Sequence, residues 1–458
     1  MPTAAASRTG RRAGIMLGTM AQRMAHDSPA ANRFARSGAV LLAGTLVSNV
    51  LSYAFFVVLS RRVDQADLGG VGSMVNLSVI LGVPALGLQL VAARLVARRA
   101  HHGDHGRDLE RRLLRASIAL GAGSALVLAA LSPMVSKVLD VSVLTVLLLA
   151  GGMVPIAVLL ATQGLLQGRE RFTALAVVLA LAGVAKLLAA LLASAVGSSG
   201  GRTTALIVGL YGLGLAMVAA VGAAVALSGG RPTAGTAPAS PGPDSSPRAS
   251  ARLVRLIAAA AVPTSGLLFL AGVDVLLARH HLSPADSGQY TIGALFEKAA
   301  FWGMTFLATL FYPAMTDATR RRGALLRALL VTGALGLLGT AVTAAAGDRL
   351  AGLVGGPTFV SLGADLWRFV AFGVALALVQ VLAYAGVAAA SVRMGVTMWV
   401  VSGAAVAWVA HAGDSVGDII TIFLLSAAGL VAAGLLIERA TLLEPTRRRG
   451  ASVRRVVP

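Results

Sequence analysis

Apolar stretches of about twenty residues recur one after another from position 38 to position 437. FTALAVVLALAGVAKLLAALLASA, 172–195, is typical, with one ionisable residue in a run of alanine, leucine and valine. A helix of about twenty apolar residues crosses the hydrocarbon core of a bilayer, and there the backbone must satisfy its own hydrogen bonds. Twelve such spans are expected, at 38–60, 70–97, 113–135, 141–167, 172–195, 203–228, 254–278, 288–317, 325–346, 362–392, 394–411 and 417–437. Only 13% of the residues are charged, against about 25% in a soluble domain. The fold class expected is an all-α integral membrane protein of about twelve transmembrane helices, with the lipid bilayer as its first partner.

The charges report topology. The net charge is +20, but the basic residues are scattered through short loops with no basic-aromatic platform, so no nucleic-acid partner is expected. With the N-terminus in the cytoplasm and the spans alternating, most of the 39 Lys and Arg residues fall on cytoplasmic segments, among them Arg98–Arg99, Arg107–Arg115 and Arg320–Arg322. The outer loops hold Arg61, Arg62, Lys137, Arg202, Arg279 and Arg349. That asymmetry fits the positive-inside rule, with both termini cytoplasmic. The absence of cysteine excludes disulfides, thiolate metal sites and cysteine nucleophiles.

Two phrases lie about half a chain apart. SRRVDQADLGGVG, Ser60 to Gly72, and ARHHLSPADSGQY, Ala278 to Tyr290, both leave an apolar span, reach Ala-Asp-x-Gly and enter another. Aligning Asp67 with Asp286 lays span 1 on span 7 and span 2 on span 8. The chain therefore reads as a cytoplasmic tail (1–37), a six-helix bundle (38–228), a Pro/Ser/Gly-rich flexible linker (229–253), a second six-helix bundle (254–437) and a cytoplasmic tail (438–458). An even number of helices per half relates the halves by an axis along the membrane normal, around a central cavity. Within each turn the aspartate is expected to cap the returning helix and the glycine to permit the tight turn.

LSRRVDQADLGGVG with GVPALGLQLVAARLVARR, GLLQGRERF (Gly164 to Phe172) and LFYPAMTDATRR (Leu310 to Arg321) together resemble the polysaccharide flippases of the multidrug/oligosaccharidyl-lipid/polysaccharide exporter superfamily. The resemblance implies two helical bundles facing a cavity. It also implies a polyprenyl-diphosphate-linked oligosaccharide moved from the inner to the outer leaflet of the plasma membrane, with a polysaccharide polymerase or glycosyltransferases as partners. The arginine cluster expected in the first spans of a lipid II flippase is absent, because span 1 carries no charge between Ser37 and Ser60.

Ionisable groups inside a bilayer cost roughly 2.5–3.5 kcal/mol and default to functional roles. Lys186 lies mid-span, and Glu297 and Lys298 lie about 15 Å into span 8. The candidate substrate-binding residues are Arg94, Lys186 and Lys298, with Asn49, Gln89, Gln163 and Gln380 as uncharged contributors. Glu297 and Asp274 are the candidates for carrying a coupling proton or sodium ion. Glu297 and Lys298 are adjacent, so they are expected to point about 100° apart, which leaves Lys186 as a partner for Glu297. The tyrosines and tryptophans read as packing or interface anchors. Gly82, Pro84, Gly87 and Pro263 are candidate hinges. His101, His102 and His105 in a loop do not make a metal site, and no metal or cofactor is expected. No acid/base pair or nucleophile suggests an enzyme. Two alternatives stand beside the flippase: a cation-coupled multidrug exporter of the same superfamily, and a non-transporting scaffold of a cell-envelope synthesis complex.

The expected topology is checked by single cysteines in this cysteine-free chain. A membrane-impermeant maleimide on intact cells should label Arg62→Cys at once and Ser245→Cys only after permeabilisation. The reverse pattern inverts the assignment.

Overall fold

In a computed structural model the chain is helical wherever it has regular structure, and no strand occurs among the described residues. The structure describes residues 29–101, 108–196, 201–228, 265–317, 319–389, 391 and 393–443. Most of the expected tails, the linker, Pro263, His102 and His105 lie outside them.

The helices are α1 (Pro29–Ser60), α2 (Gln65–Leu81), α3 (Val83–His101), α4 (Asp108–Ala130), α5 (Ser132–Val138), α6 (Val143–Gly168), α7 (Phe172–Val196) and α8 (Gly201–Leu227). Then come α9 (265–281), α10 (Pro284–Met315), α11 (Arg321–Gly355), a 3-10 turn (Pro357–Ala364), α12 (Leu366–Ala388), α13 (Arg393–Ala412), α14 (Val416–Ile437) and α15 (Arg439–Leu443). Among the described residues ten helices are long and apolar enough to cross a membrane, and the bent pair α2–α3 passes the same test when taken together. The expected seventh span is described only from residue 265, where it is helical. The protein is thus a multi-pass, all-α membrane protein. Helix α1 begins nine residues before the expected end of the tail at 37, and α15 lies within the expected C-terminal tail.

The loops alternate between two ends of the bundle. Both Ala-Asp-x-Gly turns lie at one end, hereafter the turn face. The α6–α7 turn lies at the other, the tail face, where α3, α10 and α12 end and α4, α11 and α13 begin. Helix α1 packs on α7, and α6 packs on α3, α4 and α8. Among the later helices α12 is central, packing on α10, α11 and α14, and α10 also crosses α2. The largest apolar core joins Phe55, Leu59 and Leu68 to Phe301, Phe369 and Phe423. Exposed leucines and valines such as Leu126, Leu337, Val400 and Leu436 coat the outside, as lipid contact requires.

Helix starts are capped locally. Ser142, Ser283 and Ser415 each accept a bond from an amide three residues on. Ser283 and Asp286 form a reciprocal cap: the Asp286 amide donates to Ser283 Oγ at 3.1 Å, and that hydroxyl donates back to Asp286 Oδ2 at 2.7 Å. The caps are therefore Asp64 and Ser283, and the expected cap role of Asp67 and Asp286 is corrected. Buried Asp67 instead accepts a 2.6 Å bond from Thr204 Oγ1 at the start of α8. At the tail face buried ion pairs close each set of helices, Arg169 with Glu110 and Arg321 with Glu438 at 2.7 Å. Exposed Asp317 is held below the usual carboxylate range, chiefly by the Thr319 hydroxyl at 2.7 Å.

Helix α6 lies so close to α3 that a Cβ at Gly164 would fall on the Gln89 carbonyl. Gly164→Val is expected to destabilise the protein by about 1–3 kcal/mol through overpacking. Thermal melting of the detergent-solubilised protein reads this.

Candidate functional site

Two polar sites lie inside the apolar bundle. The first is a pocket of about 310 Å³ among α1, α2, α3, α6, α7 and α8, closed on one side by Leu268 of α9 and Trp302 of α10. The break between α2 and α3 helps make it. Gly82 ends α2 by donating to the Ser78 carbonyl at 2.9 Å. Pro84 sits at the second position of α3, where its missing N–H costs nothing, and the two segments meet at 46°. This is where the expected hinge residues fall.

Lys186, midway along α7, reaches into this pocket. Its ammonium lies 5.1, 5.2 and 5.7 Å from the ring centroids of Phe55, Phe56 and Tyr211. Ring faces attract a cation by about 0.5–2 kcal/mol, which lets the lysine sit in an apolar wall without a counter-charge. Among the described residues no carboxylate comes within 4.0 Å of it. Ser48 and Ser52 add hydroxyls to the wall.

The second site joins α9 and α10. Asp274, Tyr290 and Glu297 are fully buried. The Tyr290 hydroxyl donates to Asp274 Oδ2 at 3.3 Å, and Lys298 Nζ donates to Glu297 Oε2 at 3.1 Å. Asp274 and Glu297 lie within hydrogen-bonding reach of each other. Asp274 Oδ1 and Glu297 Oε1 are buried with no partner. Two buried carboxylates thus stand in one site whose single ammonium bonds Glu297 alone.

The expected site residues divide accordingly. Lys186 enters the pocket, and Asp274, Glu297 and Lys298 form the acid site. Arg94 and Asn49 are exposed on α3 and α1 and do not line the pocket. Gln380 accepts a 3.1 Å bond from Thr305 Oγ1, holding α12 to α10. Gln163 is buried in α6, and Gln89 is half-buried with Oε1 unpartnered. The expected Lys186–Glu297 pair is not formed. Two long side chains bend toward each other across the 100° between adjacent positions, so Glu297 takes Lys298 instead. Nor does Asp274 pair with Arg279, which bonds elsewhere.

Sequence reasoning missed Tyr290 and the three rings around Lys186. Tyr290 was findable: it and Asp274 stand equally far from Leu282 at the α9–α10 turn, and equidistant residues of a helical hairpin face one another. Phe55, Phe56 and Tyr211 lie on helices distant in sequence and left no local signal.

No protein-family model matches the sequence, and none of the curated proteins does. Solved structures share the fold. A multidrug resistance MATE family transporter of the MOP superfamily, in an inward-facing conformation, aligns at TM-score 0.66 and 14% identity, over 88% of this chain and 98% of that one. The lipid II flippase MurJ, in an inward closed conformation, aligns at 0.66 and 9% identity, over 87% of each chain. A MOP superfamily transporter from Pyrococcus furiosus, described as having a binding pocket of reversed polarity, aligns at 0.56 and 14% identity, over 89% and 95%. The chain has the fold of these transporters.

Removing one partner of a buried ion pair costs about 3–5 kcal/mol, while replacing both is nearly neutral. Lys298→Met alone should therefore lower the melting temperature, and Glu297→Gln with Lys298→Met should recover most of the loss. Exchanging the charges of Lys186 and Glu297 together should not rescue either single reversal, because the two do not pair.

Proposed function

We propose that this protein is an alternating-access transporter of the plasma membrane that moves a lipid-linked, anionic glycan from the inner to the outer leaflet. A polyprenyl-diphosphate carrier is the substrate class. The observation that carries the reading is Lys186, an ammonium without a carboxylate partner in a pocket midway through the bundle. A diphosphate cannot enter hydrocarbon uncompensated, and a cation held only by ring faces is free to pair with it. The pocket is lined by helices of both parts of the chain, and in this reading the lipid tail stays in the bilayer while the headgroup is enclosed. Alternating exposure of such a midplane site is what the fold of the similar transporters provides.

Asp274 and Glu297 supply the coupling. One proton or sodium ion on this pair neutralises a buried negative charge, so its arrival and loss alter the α9–α10 hairpin. That hairpin reaches the pocket wall at Trp302. A polymerase or glycosyltransferase would act on either side of the step.

Tyr211 and Trp302 in the pocket favour a second reading, multidrug export, and a multidrug resistance transporter shares the fold. Lys186 then selects against cationic drugs. A scaffold role would leave the mid-span charges dispensable.

The test is flipping of a fluorescent polyprenyl-diphosphate sugar in proteoliposomes, read by a non-permeant quencher. Wild type should expose the lipid well above empty liposomes. Lys186→Ala should slow this roughly tenfold, the equivalent of about 1.4 kcal/mol, and Lys186→Arg should keep most of it. Flipping no faster than in empty liposomes, with efflux of a neutral or anionic drug, moves the function to drug export. Neither activity favours the scaffold.

A further inference from the structure

The hydrogen bonds that join residues 29–228 to residues 265–443 gather at the turn face. Arg279, at the end of α9, is 6% exposed. A guanidinium has five N–H donors, and here all five are used. Nε donates to the Leu139 carbonyl at 2.8 Å. Nη2 donates to the Asp140 carbonyl at 2.7 Å and to Asp140 Oδ2 at 3.5 Å. Nη1 donates to the Ala66 carbonyl at 3.1 Å and to Ser287 Oγ at 3.0 Å. Four of the five bonds therefore cross from the later helices to the earlier ones. Asp140 adopts a left-handed backbone (φ 44), which aspartate tolerates better than most residues, and two consecutive carbonyls converge on one side chain.

Beneath this arginine the two repeated turns touch. A Cβ on Gly69 would fall on the Ser287 hydroxyl, and one on Gly288 would fall on the Gln65 carbonyl. One turn deeper, a Cβ on Gly72 would come within 2.5 Å of Thr291. Gly69 and Gly288 are the glycines of the two Ala-Asp-x-Gly phrases. Each phrase carries the glycine that lets the other approach.

We propose that this contact is a releasable seal across the mouth of the transport path, with the two repeated turns as docking partners and Arg279 as the latch. The chemistry suits release. At the turns themselves the contact is glycine against the Gln65 carbonyl and the Ser287 and Thr291 side chains, with the shared apolar core beside it at Leu68. The latch bonds backbone carbonyls and a carboxylate that is 74% exposed, all groups that water satisfies once the faces part. The Lys186 pocket is lined further along α2 than Gly72, at Ser78 and Gly82, so the seal stands between it and the turn face. The seal rests on the alternating-access reading only for its purpose, not for its existence.

Thr291→Cys, buried under Gly72, tests it in the cysteine-free full-length protein in proteoliposomes. The probe is a membrane-impermeant maleimide applied from the turn-face side. Arg279→Ala and, separately, Gly288→Ala should each raise the labelling rate at least about fivefold, the size of a small shift in a two-state equilibrium. A Cβ at Gly288 meets the Gln65 backbone, so Gly288→Ala should push the two turns apart and can lower the melting temperature; labelling is therefore read well below each variant's melting transition, which separates opening from unfolding. Ser48→Cys, in the pocket wall, reports the other side. If its labelling from the tail face falls in the same variants, the two mouths alternate. If it is unchanged, the seal stands and the alternating-access reading falls. Labelling of Thr291→Cys that neither variant changes overturns the seal.

Discussion

Hydrocarbon offers a peptide group nothing to bond to and a charge nothing to be solvated by. The first fact makes this chain helical almost throughout, because only a helix satisfies its backbone within one segment. The second decides what happens wherever the helices stop or carry an ionisable side chain. The α2–α3 break at Gly82 is tolerated because it borders the pocket rather than lipid. The buried ion pairs at the tail face, Arg169 with Glu110 and Arg321 with Glu438, spare four charges from standing alone.

The same constraint is met in two different ways at the two mid-membrane sites. Lys186 is held by ring faces, which stabilise the cation while leaving its hydrogen-bonding capacity unspent. Glu297 is held by Lys298 and Asp274 by Tyr290, and each carboxyl keeps one buried oxygen without a partner. One arrangement is open to a large anion, the other to a proton or a small cation. Their separation, one among the earlier helices and one in the α9–α10 hairpin, fits a division between cargo and driving ion.

Helical class was legible because each span needs about twenty apolar residues and the sequence spells them plainly, and ten of the described helices, with the bent pair α2–α3, answer to the twelve expected spans. The two Ala-Asp-x-Gly phrases drew attention to residues that meet in the structure, although each glycine serves the opposite turn. Side-chain pairing was not legible. Arg94 and Asn49 sit on apolar spans like Lys186, and only the rotation of α3 and α1 puts them on the surface. The 100° rule separated Glu297 from Lys298, but it describes Cβ directions and not the tips of long side chains. The three rings around Lys186 come from α1 and α8, and no window of sequence contains them together.

Arg279 and Gln65 make comparable reaches across the seam. Arg279 donates to the Leu139 carbonyl, and Gln65 donates to the Thr358 carbonyl at 3.3 Å. Leu139 and Thr358 are related by the same offset of 219 that superposes Asp67 on Asp286. In an isologous contact between identical subunits, position 60 would make the same bonds as position 279. A single chain carries no such obligation. Ser60, which that offset aligns with Arg279, makes only a 3.3 Å bond to the Val354 carbonyl across the seam, and Arg61 and Gln65 beside it make one bond each. No one side chain there matches the five bonds of Arg279. A single side chain can then govern an interface that symmetry would have forced two to share.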